Sequence, residues 1–300
     1  MSRLYVPLLI LLAAIWGASF MFIKVADRQL EPTTLMAGRI LLGALVLFGV
    51  LVAREGTRPA MVHLRRAGAQ PFLLGVVNAA LPFTLIAWGE KHVDSGVAAI
   101  ANASMPIFVA LLAVRFQRSE RSTGLRLVGI LVGLVGVAVL AGVHPRGGVW
   151  AVAGTLAVVA ASISYAIGSM WAQHLVAREE ALVLTTATMI GGTLALLPFG
   201  LAQLPGSVPG WKVIGSVVAL GVAGTAIGQL IYYRMIDSDG SARASLVTYL
   251  LPVTALFYGA GLLGEPITVE ELVGLVLILG GVALGSGLVR VARREPAPAA

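Results

Sequence analysis

The sequence predicts an all-α integral membrane protein of ten transmembrane helices, arranged as two inverted five-helix repeats. Three observations carry this prediction. Hydrophobic residues make up 58% of the chain and charged residues 12%, about half the charged share of an ordinary soluble domain, and mean hydropathy is +0.93. The chain also repeats itself: with Pro252 set on Pro106, SARASLVTYLLPVTAL falls on SGVAAIANASMPIFVA, and one deletion later Glu265 falls on Glu120, Gly274 on Gly129 and Gly281 on Gly136. Finally, the loops inside the two copies differ in sign. The first carries Arg115, Arg118, Arg121 and Arg126; the second carries Glu265, Glu270 and Glu271 with no Lys or Arg. Lys and Arg collect in cytoplasmic loops, so related loops of opposite charge belong on opposite faces of a bilayer, as in an inverted repeat.

A membrane helix needs about 20 mostly apolar residues. Ten stretches qualify: 6–25, 33–53, 71–89, 96–114, 125–143, 149–173, 182–202, 213–233, 242–263 and 272–291. The connections are short, the longest lying between Arg54 and Gln70, and Pro32, Pro71, Pro145, Pro205, Pro209 and Pro266 mark boundaries as helix breakers do. The apolar run after Met1-Ser2-Arg3 continues through Trp16 to Ile23 with no small-residue cleavage site, which predicts a retained first span rather than a signal peptide. Five spans per copy, an odd number, force the copies to be inverted. The expected division is 1–146 for the first repeat and 147–294 for the second, with 295–300 (EPAPAA) as a disordered tail.

Orientation follows from the basic residues. Fifteen Lys and Arg share a side with the N-terminus, against five on the other (Lys24, Arg28, Lys91, Arg146, Lys212), leaving Arg39 inside the second span. Both termini are therefore expected in the cytoplasm, in a bacterial inner membrane. The net charge of +7 is spread over loops between spans, where it orients helices and does not point to nucleic acid. Cysteine is absent, which excludes disulfides, thiolate metal sites and a cysteine nucleophile. The four histidines (His63, His92, His144, His174) fall in loops or at helix ends without a partner nucleophile or carboxylate, and no H-E-x-x-H or P-loop occurs. No enzyme activity, catalytic residue, metal or cofactor is expected.

Polar groups at membrane depth are expensive unless they pair or line a cavity, so they are the guide to a pathway. Counted from the span ends, the deep ones include Trp16 and Ser19 in helix one, Asn78 and Thr84 in helix three, and Asn102 and Ser104 in helix four. The second half offers Ser162, Ser164 and Tyr165 in helix six, Thr225 and Gln229 in helix eight, and Thr248 and Tyr249 in helix nine. Helices one, three and four correspond to six, eight and nine, as a cavity at the repeat interface requires. A Ser or Thr can satisfy itself on its own helix backbone, whereas an amide needs several partners. The expected cavity residues are Trp16, Asn78, Asn102, Tyr165, Gln229 and Tyr249, with Trp16 and Tyr165 at equivalent depths. Pro106 and Pro252, inside helices four and nine, are candidate bending points for gating. Arg234 and Arg243, close to Asp237 and Asp239, are candidate inner-gate residues. Arg39 is expected to snorkel outward or to pair with an acidic group there. No Asp or Glu falls at mid-membrane, so proton coupling has no support at this level. The Gly-rich faces of helix five (Gly129, Gly133, Gly136) and helix ten (Gly274, Gly280, Gly281, Gly285, Gly287) suit close packing with each other, or a homodimer contact.

The opening Trp16-Gly17-Ala18-Ser19-Phe20, followed by Lys24, Pro32 and Arg39, resembles the EamA-like family of the drug/metabolite transporter superfamily. Glu120 and Glu265, each ahead of a Gly-rich helix, look like that family's recurring acidic residue at the end of each repeat. The resemblance spans the chain. It implies a secondary transporter of amino acids, aromatic ones included, or related metabolites, frequently an exporter, working by alternating access through a central cavity between helices one, three, four, six, eight and nine. The acidic residue in helix one of the related small multidrug-resistance proteins is not matched, which argues against drug–proton antiport. A passive channel, or a carrier of drugs or nucleotide-linked compounds, are the competing readings.

Overall fold

The computed structural model describes residues 4–116, 125–142, 148–176, 178–239 and 247–285. The first half begins with α1 (Tyr5–Ala26) and α2 (Pro32–Glu55). Pro32 opens α2, where its missing N–H costs nothing. The connection that follows, read as a loop from sequence, contains a short amphipathic helix, α3 (Thr57–Arg66), which buries Ala60 and Leu64 and exposes Arg58, Arg65 and Arg66. The third span is composite: α4 (Ala69–Gly75), a π-helical turn (Val76–Ala80) and α5 (Leu81–Glu90). The fourth is α6 (Ser95–Asn102) and α7 (Met105–Phe116), and the fifth is α8 (Leu125–Gly142).

The second half repeats this order. It has α9 (Gly148–Val176) and α10 (Ala181–Ala202), then a composite eighth span of α11 (Trp211–Ala219), a π-helical segment (Leu220–Ile227) and α12 (Gly228–Asp239). The ninth span is α13 (Val247–Tyr258) with a final π turn (Gly259–Leu263), and the tenth is α14 (Val269–Gly285). Among the described residues the architecture is thus all-helical, with ten spans in two five-helix repeats.

The packing respects the repeat. α1 lies against α13 and α9 against α6 and α7, which is one pairing with the halves exchanged; α2 pairs with its twin α10, and α8 with its twin α14. The π segments of the third and eighth spans also fall at corresponding places. The correspondence that sets Pro106 on Pro252 sets Gly75 on Gly221, and each glycine is a crossing point. Gly75 lies on the Thr188 carbonyl and Gly192 of α10, whereas Gly221 lies on the Arg39 carbonyl and Leu42 of α2. Small residues are needed there because any side chain would strike backbone.

The fifth and tenth spans spend their glycines on each other within the chain. Gly136 lies against Leu277 and Ile278, and Gly281 faces the Gly133 N–H and the Gly129 carbonyl, with no room for a Cβ. The outward faces of the same helices (Leu127, Leu131 and Val135 on α8; Leu272 and Val276 on α14) are exposed apolar surface, as lipid requires.

Two proline positions differ from one another. Pro252 sits inside α13, as expected. Pro106 does not kink a continuous fourth helix: that helix is interrupted at Ala103–Ser104, and Pro106 is the second residue of α7. Pro106 cannot donate a backbone hydrogen bond, and the Ser104 hydroxyl competes for the Ala101 carbonyl at 2.6 Å.

Candidate functional site

Arg39 is the centre of the site. It is 6% exposed and does not snorkel. Its Nε donates to Thr225 Oγ1 at 3.1 Å, and its guanidinium lies over the Phe83 ring at 4.1 Å. Arg39 and Phe83 belong to the first half and Thr225 to the second, so the cation bridges the two repeats. The Thr225 hydroxyl itself donates to the Leu220 carbonyl at 3.0 Å, inside the eighth-span π segment. Glycines make this approach feasible: Gly43 of α2 packs on the Thr225 methyl, and a Cβ on Gly224 would come within 3.7 Å of Arg39 Nη2 and 2.9 Å of Ser19 Oγ. Tyr165 of α9 completes the ring of groups, edge-on to Phe83 with centroids 6.2 Å apart and interacting electrostatically with Arg39.

Magnitudes explain how the cation is tolerated. An Arg at bilayer depth costs about 3 kcal/mol on insertion scales. One hydrogen bond to a charged group returns about 1.5–3 kcal/mol and a desolvated cation–π contact about 2 kcal/mol. The fold therefore carries the charge with only one of five N–H donors bonded among the described residues, and the terminal nitrogens are not sealed buried atoms.

A groove of about 230 Å³ lies between α1 (Ala14, Ala18, Ser19, Phe22) and the eighth span (Ala219, Ala223, Gly224), with Tyr258 also lining it; it borders the cluster at Gly224. Its lining is mostly small, so its width is set by backbone and not by side-chain rotamers.

The six expected cavity residues occupy several stations. Trp16 donates its indole N–H to the Gly224 carbonyl at 3.0 Å and packs on Tyr232 at 5.3 Å, joining α1 to the π segment. Tyr165 stands at the Arg39 cluster, against Phe83 of the third span. Asn78 lies in the third-span π turn against Gly168 of α9, next to the bond from Ser164 Oγ to the Val77 carbonyl at 2.6 Å. Asn102 ends α6 at the helix break, where Ser162 Oγ approaches its backbone and side-chain oxygens at 3.3 and 3.4 Å. Gln229 and Tyr249 are half-buried on α12 and α13, and Tyr249 packs against the main core. Arg234 is exposed on α12, and Arg243 lies outside the described residues. Most deep hydroxyls bond their own helix, as Thr84 does to the Ala80 carbonyl at 2.7 Å.

Sequence reasoning missed Arg39 as a site residue. The available signal was a single cation within an apolar span, preceded by Ala37 and Gly38; an intramembrane charge is a functional candidate by default. It also missed Glu90, placed just beyond the third span, which the structure buries completely at the end of α5.

The end of the bundle that carries Glu31, Glu90 and Glu265 is closely stitched. The Lys24 ammonium donates to the carbonyls of Glu90 and Val93 at 2.5 and 2.8 Å, and Lys91 pairs with Glu31 at 2.7 Å. Glu265 accepts from the Ser95 N–H at 3.1 and 3.2 Å and from its hydroxyl at 2.5 Å. It thereby caps α6, which Asp94 does not. Gly264, in the left-handed region at φ 71°, turns the chain into this clasp.

Asp27 follows α1 at this end. Burial pushes its carboxyl up from 3.8 to about 6, against the pull of Lys24, Lys91 and Arg28 and with a further push from Glu265. The sign is therefore that of an acid whose ionisation opposes the folded arrangement: its contribution is present at low pH and lost as pH rises through about 6. Titrating a selectively labelled Asp27 carboxyl by NMR in nanodiscs is expected to show protonation near pH 6, moving to higher pH in Lys24→Met. A midpoint near 4 in the unmodified chain would refute this.

Ten apolar spans and a two-fold internal repeat, with a buried cation bridging the halves, define a multi-pass membrane protein. Comparison with known proteins specifies it further. The model of the EamA-like transporter family matches residues 3–142 and 152–287, one match per half, and the chain belongs to this family. An uncharacterized transporter of Archaeoglobus fulgidus is 30% identical over 277 residues, covering 91% of this chain and 95% of that protein. The uncharacterized inner membrane transporter YedA of Escherichia coli is 28% identical over 283 residues, covering 90% and 86%. A solved crystal structure 19% identical in sequence superposes with a TM-score of 0.67 over 95% of this chain and 96% of its own, which shows the shared fold.

Proposed function

We propose that this transporter carries small carboxylate-bearing amphipathic metabolites, amino acids foremost, across an inner membrane by alternating access between its two halves, in the export direction. The observation that carries this reading is Arg39, a buried cation held by Thr225 of the other half with donors to spare. A planar guanidinium with free N–H groups is suited to bidentate recognition of a carboxylate, and Phe83 and Tyr165 offer aromatic surface beside it. Because the cation bridges the repeats, binding an anion there bears on how the halves sit together, as a carrier requires and a passive channel does not. Both termini are assigned to the cytoplasm on the distribution of Lys and Arg.

Counterflow into proteoliposomes with a panel of labelled amino acids tests the reading. Uptake above empty liposomes is expected for at least one small amphipathic amino acid, saturable and competed by the unlabelled compound. No uptake for any member of the panel would remove the amino-acid assignment.

A further inference from the structure

The last turn of α5 holds a carboxyl that the Arg39 site does not use. Glu90 is 0% exposed, and neither of its carboxyl oxygens has a hydrogen-bond partner among the described residues. The nearby Lys24 ammonium spends its bonds on the backbone carbonyls of Glu90 and Val93, at the end of the helix, and not on the Glu90 side chain. The charges acting on Glu90 come from α1 and its end (Lys24, Asp27), from α2 (Arg39) and from the 264–268 loop (Glu265). α9, packed along α5, contributes Tyr165, which faces Arg39. Two of those four charges are acidic, and neither basic group bonds the Glu90 carboxyl. A carboxylate closed off from water with no donor on either oxygen is far more costly than the neutral acid in the same place.

We propose that Glu90 is a proton-binding site, occupied while the acidic end of the bundle is closed, through which the transport cycle takes up and releases a proton. The device that keeps it closed is the Glu265–Ser95 clasp, which holds the 264–268 loop over the start of α6, a few residues beyond Glu90. When the clasp parts, water reaches the carboxyl; its O–H bond breaks, the proton passes to that water, and the carboxylate is left opposite Lys24. Closing the clasp reverses the step. The inference rests on the chain being a transporter and not on the amino-acid assignment, so it survives failure of the counterflow panel and is tested without cargo.

The test is infrared spectroscopy of the full chain in lipid nanodiscs across a pH titration. In a Glu271→Gln background, which removes the other buried carboxyl at this end, the chain is expected to keep a protonated-carboxyl C=O band at neutral pH, above the midpoint of Asp27, and adding Glu90→Gln is expected to remove it. Glu90→Leu serves the same purpose if the Gln variant does not insert. Gly259→Ala leaves every charge in place, and its Cβ would come within 2.7 Å of Ser95 Oγ in the clasp; in the same background it is expected to lose the band at lower pH than the chain without it. Ser95→Ala, which removes only the hydroxyl leg, is expected to shift it in the same direction by less. Absence of the band at neutral pH in the Glu271→Gln chain, or its persistence in both Glu90 variants, overturns the proposal. An unchanged titration in both clasp variants removes the clasp from it.

Discussion

Arg39→Met is expected to abolish saturable counterflow while leaving the solubilised protein as heat-stable as the unmodified chain, or more so. The two halves of that result come from different physics. A charge-assisted hydrogen bond to a carboxylate is worth about 1.5–3 kcal/mol, so losing even one weakens cargo binding roughly tenfold to a hundredfold. The fold loses little, because Arg39 makes one side-chain hydrogen bond and one ring contact, and exchanging a buried ion for an apolar side chain of similar volume is often neutral or stabilising. Arg39→Lys keeps the charge but not the fork, and is expected to retain binding at reduced affinity. If Arg39→Met unfolds early and transport falls only in proportion to the surviving protein, the residue is a brace and the carboxylate reading fails.

Gly281→Leu is expected to be severely destabilising, and Gly280→Leu nearly silent. The two neighbours point about 100° apart on α14. A side chain at Gly281 would meet the backbone of Gly129 and Gly133 on α8, whereas nothing lies within 4 Å of a Cβ at Gly280. Backbone cannot swing aside as a side chain can, so the helices must separate. Overpacking of this kind costs about 1–3 kcal/mol where neighbours can relax, and more where they cannot. Thermal unfolding in detergent, with the adjacent position as internal control, measures the difference directly. Equal losses at both sites would show that α8 and α14 do not pack within the chain as described.

The α8–α14 pairing was legible in the sequence because periodicity and residue size are local properties. Gly129, Gly133, Gly274 and Gly281 lie at helical spacing whatever their partner, and the internal repeat then matches the two helices. The ten spans were legible for the same reason: length and hydropathy are enough when every backbone group must be satisfied within its own helix. The break at Ala103–Ser104 was not, because a Pro inside an apolar stretch is compatible with either a kink or a fresh start. Nor were the π segments of the third and eighth spans, whose widened turns are held by partners far along the chain, such as Trp16 on the Gly224 carbonyl and Ser164 on the Val77 carbonyl.

The sequence alone determined how many times the chain crosses the membrane, that it does so twice over in opposite senses, and which deep positions are polar. Those follow from one-dimensional quantities: run length, loop charge and self-similarity. Which polar residues meet was decided only by tertiary structure. Arg39 reaches Thr225 across the repeat interface because Gly43 and Gly224 let two backbones come close, and Glu90 is buried at the end of α5, where Gly89 packs on α9 and Lys24 bonds the Glu90 carbonyl. Burial depends on what neighbouring helices cover. A residue one turn from a span end is a surface group or a buried charge according to packing that no local pattern records.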